Sequence, residues 1–293
     1  STVCAAAAPG SGNGEVQGPR FKIQDSREGV ADALSRPLII AHRGARAEAP
    51  ENTAAAFDRA VAHPIDGVEL DVQMSADGVA LLFHDRTLKK IAGIRRRVAD
   101  LPWEKLQEMD AGSWFDPAFA GEPVLGFDRM LEMLAGRTRL FIEIKVFKAD
   151  RNSGRGVRLT DNVLRTLADA KYERHRDSFR ILSFDQEILR YVGGRAPDLQ
   201  LVLDVSKAGA KRLKQAPEHL LKHLSAFCIH VGGVSPGLVK WAHGIGKEVF
   251  VYTCNDEATL NKMMAARVDG ILTDDPAWLT RELAGRRKTG FRS

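Results

Sequence analysis

Residues 37–85 read PLIIAHRGARAEAPENTAAAFDRAVAHPIDGVELDVQMSADGVALLFHD, and the order of apolar runs in this stretch decides the fold. PLIIAH (37–42) is short, apolar and closed by a histidine, the pattern of a buried strand. Thr53 to Ala62 has helical spacing, with Asn52 or Thr53 suited to cap it. GVELDV (67–72) and VALLFH (79–84) are two more strand runs. Strand, helix, strand is the unit of a parallel sheet.

The same rhythm continues to the end of the chain. Strands are expected at residues 140–145, 180–184, 199–205, 226–231, 249–254 and 270–274. Helices are expected at Phe127–Ala135, Asp161–Ala170, Gln186–Tyr191, Pro236–His243 and Glu257–Ala266. The 293 residues suit an α/β chain folded as a TIM-type (β/α)8 barrel, a fold of about 250 residues. Nine strand runs for eight positions is one too many, so the barrel is expected to be irregular between its second and third strand runs. Gln73 to Gly78 is too short for a helical crossover. The two flanking runs form either a hairpin or an extended return arm. The arm is favoured here, because it lets Glu69, Asp71 and His84 converge; Ala76-Asp77-Gly78 supplies the turn.

Residues 1–36 are expected to be a flexible Ala-, Gly- and Ser-rich arm plus a short helix opened by a capping box at Asp25–Glu28. Residues 37–285 form the barrel and residues 286–293 a basic tail. Thr87 to Leu125 interrupts the rhythm; its Trp103, Trp114, Phe115 and Phe119 make it a cover over one rim, not a separate domain.

Composition narrows the function. With 44% hydrophobic residues a sizeable core can form. The net charge of +5 is spread along the chain, and no basic stripe points to nucleic acid. No run is apolar for long enough to cross a bilayer. Three cysteines argue against a disulfide framework, and Cys228 and Cys254 read as buried thiols. Few cysteines and a compact barrel suggest the cytoplasm, with an exported protein as the alternative if the Ala-rich arm is a remnant of a signal. Oligomeric state is not legible. The chain has no GxSxG elbow, P-loop, GxGxxG, CxxC or HExxH pattern, which disfavours serine hydrolysis, nucleotide binding and zinc.

The charged residues at strand ends carry the chemistry. Glu69 and Asp71 are two apart on one strand and share a face; Glu143 and Lys145 repeat that spacing. Three carboxylates within about 5 Å repel by roughly 3 kcal/mol per pair at an effective dielectric near 20. One divalent cation removes that cost, and an all-oxygen set suggests Mg2+ or Ca2+. Salt bridges of the rim with Arg43 and Lys145 are the alternative. His42 and His84 each close a strand and fit a general acid and a general base. Arg43 can grip a phosphate with two prongs, Lys145 adds a point charge, and Gly44 permits a tight turn. His63, His175 and His243 read as structural.

These residues resemble the glycerophosphodiester phosphodiesterases. The likeness rests on HRG at His42, PENT at Pro50–Thr53, Ala56-Phe57, ELDV, Asp77-Gly78, His84-Asp85 and EIK at Glu143–Lys145. It continues through Ser183-Phe184, VYTCND at Val251–Asp256 and VDGILTDDP at Val268–Pro276. The resemblance implies a TIM-type barrel that hydrolyses a small-molecule phosphodiester with one divalent metal. His42 and His84 would be its acid/base pair, Glu69, Asp71 and Glu143 its metal ligands, and Arg43 and Lys145 its phosphate contacts. Tyr252 stands where members often have Trp, and would form part of the substrate wall. A lysophospholipase D-type activity on lipids and a silent binding barrel are the competing readings.

Overall fold

The computed structural model describes residues 36–288. The expected N-terminal arm and capping box and residues 289–293 lie outside them. Nine strands follow in order: β1 (Leu38–His42), β2 (Gly67–Met74), β3 (Ala80–Leu82), β4 (Arg139–Ile144), β5 (Phe179–Ser183), β6 (Gln200–Val205), β7 (Ala226–His230), β8 (Glu248–Tyr252) and β9 (Gly270–Thr273). Every strand run expected from the sequence is present. The spatial order is β1-β9-β8-β7-β6-β5-β4-β2, and β1 pairs with β2 to close the ring. All ring pairings are parallel, while β3 is antiparallel to β2, so eight strands make a TIM-type barrel and the ninth stands outside it.

The helices are α1 (Ala54–Ala62), α2 (Lys89–Ala92), α3 (Trp103–Gln107), α4 (Phe127–Leu134), α5 (Arg155–Leu167) and α6 (Gln186–Arg195). They continue with α7 (Lys207–Ala210), α8 (Glu218–Leu221), α9 (Pro236–Gly244), α10 (Glu257–Ala266) and α11 (Pro276–Lys288). Helix α5 begins before the expected Asp161. Helix α11 was not expected; it continues past residue 285 to Lys288. Its start is nevertheless chemically marked, since Asp275 Oδ1 accepts from the Trp278 N–H at 2.8 Å next to Pro276.

The favoured return arm is corrected to a hairpin. The Ser75 N–H donates to the Val79 carbonyl at 2.9 Å, and Gly78 takes φ +91°, where a side chain is disfavoured. That turn is tight enough for Val72, Gln73 and Met74 to pair antiparallel with Leu82, Leu81 and Ala80. The expected convergence is still met. The Phe83 N–H donates to the Asp71 carbonyl at 3.0 Å, and Gln73 Nε2 donates to the carbonyls of Phe83 and Asp85. Residues 87–125 pack on this hairpin through a core of their own, with Leu88, Val98, Leu101, Leu106 and Val124 against Leu81 and Phe83.

Strand alternation sorts the core into two layers. Ile39, Val68, Leu70, Leu140 and Ile142 point outward to the helices. Ile40, Phe141, Leu182, Val202, Cys228, Phe250 and Leu272 point inward. Phe141 and Phe250 meet edge-to-face at 5.2 Å in the barrel interior. Gly67 and Gly270 make room for them, because a Cβ at either would come within 2.7 Å of a ring carbon. Beneath lies Arg180, stacked over both rings and bound to Glu248 at 2.7 Å. The interior is therefore filled from below, and a cavity of about 330 Å³ opens at the other end. Cys228 and Cys254 are buried free thiols, as expected.

Candidate active site

The period of two that buries Leu70 and Ile142 outward turns Glu69, Asp71 and Glu143 toward the barrel axis. All three are buried, and one oxygen from each lies within 4.8 Å of the others. Lys145 Nζ sits 2.9 Å from Glu143 Oε1 and 3.1 Å from Asp71 Oδ1. Arg43 Nε is 3.1 Å from Asp71 Oδ2, and the Arg43 N–H donates to Glu69 Oε2 at 3.1 Å.

Arg43 holds a left-handed backbone at φ +58°, uncommon outside glycine. That conformation turns its N–H toward Glu69 and its side chain toward Asp71 and Glu51. Gly44 follows at φ +83°, and a Cβ there would meet Ala56 at 2.7 Å. The HRG turn thus needs its glycine for both conformation and space.

The two histidines converge on this cluster from different elements. His42 closes β1; its Nδ1 donates to Asp274 Oδ1 at 2.7 Å, leaving Nε2 3.9 Å from Glu69 Oε2. His84 follows β3, and its Nδ1 donates to Asp85 Oδ1 at 2.8 Å. A carboxylate on each Nδ1 fixes the tautomer, with Nε2 unprotonated in the neutral ring. Burial lowers the pKa of both rings, partly opposed for His42 by Asp274 and for His84 by Asp71. Tyr252 stands across the cavity; it donates to the Val205 carbonyl at 3.3 Å and packs edge-to-face on Phe184 and His230. All eight residues singled out in the sequence therefore meet at one mouth. His63 and His243 lie elsewhere, paired with Glu48 and Asp269.

The cluster has more negative charge than the two cations Arg43 and Lys145 neutralise. Burial, then Asp71 and Glu143, push Glu69 well above the carboxylate range. Burial also raises Glu143, to about 7, although Lys145 opposes it. Asp71 goes the other way: burial raises it, but Lys145 and Arg43 together hold it well below its usual value. Its Oδ1 is buried against the Lys145 ammonium. Three carboxylates with an oxygen each within 4.8 Å of the others form an all-oxygen set that suits a hard divalent cation.

A proton count tests this. Cation binding needs ionised carboxylates, so it will release protons near neutral pH and tighten as pH rises through about 7. Without the cation, raised carboxyl pKa values stabilise the fold below the unfolded value and lose that effect as pH climbs through the folded one. Titration calorimetry in buffers of different ionisation heat measures the release. A cation bound with no proton exchange at pH 6–7 would contradict this charge assignment.

The sequence matches a known family over this same region. Residues 42–278 fit the Glycerophosphoryl diester phosphodiesterase family. The chain belongs to that family. It is 33% identical over 248 residues to a glycerophosphodiester phosphodiesterase of Caldanaerobacter subterraneus, covering 83% of this chain and 96% of that one. It is 28% identical over 246 residues to one from Bacillus altitudinis, covering 81% and 94%. Among solved structures, an Oleispira antarctica phosphodiesterase in complex with the product sn-glycerol-3-phosphate superposes with a TM-score of 0.74 at 25% identity, covering 85% and 97%. A glycerophosphodiester phosphodiesterase from Agrobacterium tumefaciens gives 0.69 at 29%, covering 84% and 100%. As a glycerophosphodiester phosphodiesterase, the protein is a phosphoric diester hydrolase.

Sequence reasoning missed several residues that hold this phosphodiesterase site in shape. Asn52 was weighed as a helix cap, but Thr53 is the cap, accepting from the Ala56 N–H. Asn52 instead grips Asp71, donating to Oδ2 at 2.8 Å and accepting from its backbone N–H at 3.2 Å. Its left-handed φ of +59° was the hidden requirement. Asp274 orients His42 and is itself held by Asn255 Nδ2 at 2.8 Å. Both belong to the CND and TDDP segments, whose order in the motif was visible but whose role was not. Glu51 ties Arg43, Arg46 and Lys90 together at 2.9–3.3 Å. Asp204, near the end of β6, lines the same cavity.

Proposed function

We propose that the protein hydrolyses glycerophosphodiesters to an alcohol and glycerol 3-phosphate, with His42 and His84 as the acid/base pair. The observation that carries this reading is the meeting of three buried carboxylates, two oriented histidines and two cations at one mouth. Glu69, Asp71 and Glu143 would hold one divalent cation, Mg2+ or Ca2+. Bound there, it supplies Lewis-acid stabilisation of charge growing on the phosphoryl oxygens.

The chain's own groups account for the rest. Arg43 and Lys145 line the cavity and add positive charge where an anionic diester must sit. One histidine takes the proton of the attacking oxygen through Nε2. The other gives a proton to the departing alkoxide. Asp274 and Asp85 keep the imidazoles oriented and favour the imidazolium as it forms. Tyr252 and Phe184, in edge-to-face contact, wall the cavity beside His230. The glycerol 3-phosphate product found with the Oleispira relative fits the proposed outcome.

A metal-by-substrate panel tests the reading. Enzyme stripped with EDTA is expected to be inactive and to recover with Mg2+ or Ca2+. It is expected to prefer glycerophosphocholine to lysophosphatidylcholine. The aromatic segment that a lipid reading needs makes contacts of its own: Trp114 Nε1 donates to the Ala111 carbonyl at 2.7 Å, and half-buried Trp114, Phe115 and Phe119 pack edge-to-face. Preference for the lyso-lipid would favour the lipid reading. Silence on natural diesters and on bis(p-nitrophenyl) phosphate with every cation would favour a binding role.

A further inference from the structure

The cavity has two sides of different chemistry. One side is the charged cluster already described. The other is formed by Phe184, Asp204, His230 and Tyr252. Its aspartate has no role in the scheme above. Asp204 sits on β6 in register with Cys228 of β7, and alternation turns both into the barrel. The residue is only 6% exposed. The Cys228 thiol donates to its carboxyl, but Oδ2 is buried with no hydrogen-bond partner among the described residues. It does not join the three carboxylates whose oxygens cluster within 4.8 Å.

Buried polar groups are rarely left without partners, because the lost hydration is costly. A carboxyl oxygen without a protein partner, on a residue that lines a substrate cavity, points to a ligand partner. A hydrophobic residue would have been cheaper at this position, given the apolar Leu182 and Leu272 in the same cavity lining. Building on the proposed function, we propose that Asp204 is a specificity-determining residue that hydrogen-bonds a hydroxyl of the substrate's glycerol arm. The glycerol hydroxyls are the one polar feature, besides the phosphate, that every glycerophosphodiester shares. Burial, reinforced by Glu143, raises the Asp204 pKa well above its usual value. The neutral acid can both donate to a hydroxyl and accept from it. A hydroxyl-lacking arm would leave that oxygen unpaired, and sites of this kind discriminate strongly.

The test compares glycerophosphocholine with propylphosphocholine, which has the same choline ester but no free hydroxyls. Wild-type enzyme is expected to favour the glycerol substrate by at least about 30-fold in kcat/KM. Asp204→Ala is expected to abolish that preference: glycerophosphocholine falls by a similar factor, and propylphosphocholine stays within about twofold. Asp204→Asn, whose amide also donates and accepts, is expected to restore part of the preference. Thermal unfolding checks that each variant is folded. Equal loss on both substrates would assign Asp204 to the framework of the site, and a preference that survives Asp204→Ala would remove it from recognition; either result overturns the proposal. A wild-type enzyme that cleaves bis(p-nitrophenyl) phosphate but no glycerophosphodiester would instead overturn the function on which the proposal rests.

Discussion

His42→Ala and His84→Ala will each lower kcat on a glycerophosphodiester by at least about 100-fold, the usual scale of general acid–base catalysis. The geometry gives the reason. Each ring is fixed through Nδ1 by a carboxylate, Asp274 at 2.7 Å and Asp85 at 2.8 Å, so each offers Nε2 in one orientation. The rings come from different elements, the end of β1 and the segment after β3, and both line the one cavity. Two such bases around one phosphorus suit one proton removed and one proton delivered. The effect should depend on the leaving group. p-Nitrophenolate departs without a proton, so the variant lacking the general acid should regain much of its rate on bis(p-nitrophenyl) phosphate. The variant lacking the general base should not. Steady-state kinetics on both substrates assigns the roles; near-normal turnover of the natural diester by either variant removes that histidine from the chemistry.

The second large effect is at Asp71. Asp71→Ala is expected to cost about 3–5 kcal/mol of stability, the scale for breaking a buried ionic network. Asp71 is fully buried and is approached by Arg43, Lys145 and Asn52. Alanine would leave a buried ammonium and an amide without their acceptor. Glu143 would remain beside Lys145, so the loss is partial. Because the folded Asp71 carboxyl lies below its ordinary value, its contribution is present above roughly pH 3.9 and fades as pH falls through the folded value. Asp71→Asn keeps the shape and the Asn52 contact but removes the charge, and is expected to abolish cation binding while unfolding less. Urea denaturation and titration calorimetry read the two effects separately. Full stability and full metal affinity in both variants would show that Asp71 is not the centre of the cluster.

How much of this was legible in the sequence depends on the range of the interaction involved. Strand runs such as GVELDV and LFIEIK are read from local periodicity, and every one of them forms a strand. The inward placement of Glu69, Asp71 and Glu143 follows from the same period of two once the outward faces are seen to be Val68, Leu70 and Ile142. The hairpin was harder. Four residues around Gly78 permit either a return arm or a pairing, and hydrogen bonds from Val72–Met74 to Ala80–Leu82 decide between them. Helix α11 was overlooked because its apolar positions are too sparse for periodicity to find.

Alternation, turn chemistry and the order of charged strand ends are properties of neighbours in the chain, so the sequence by itself determined the barrel and which side chains could gather at its mouth. Partnerships across the ring were beyond it. Asp274 reaches His42 from 232 positions away, Asn52 turns from cap to clamp through one left-handed residue, and Asp204 lines the cavity with one oxygen unpartnered. Only closure of the sheet brings such groups within hydrogen-bond distance, because a contact of about 3 Å between remote residues is set by the packing of every strand between them.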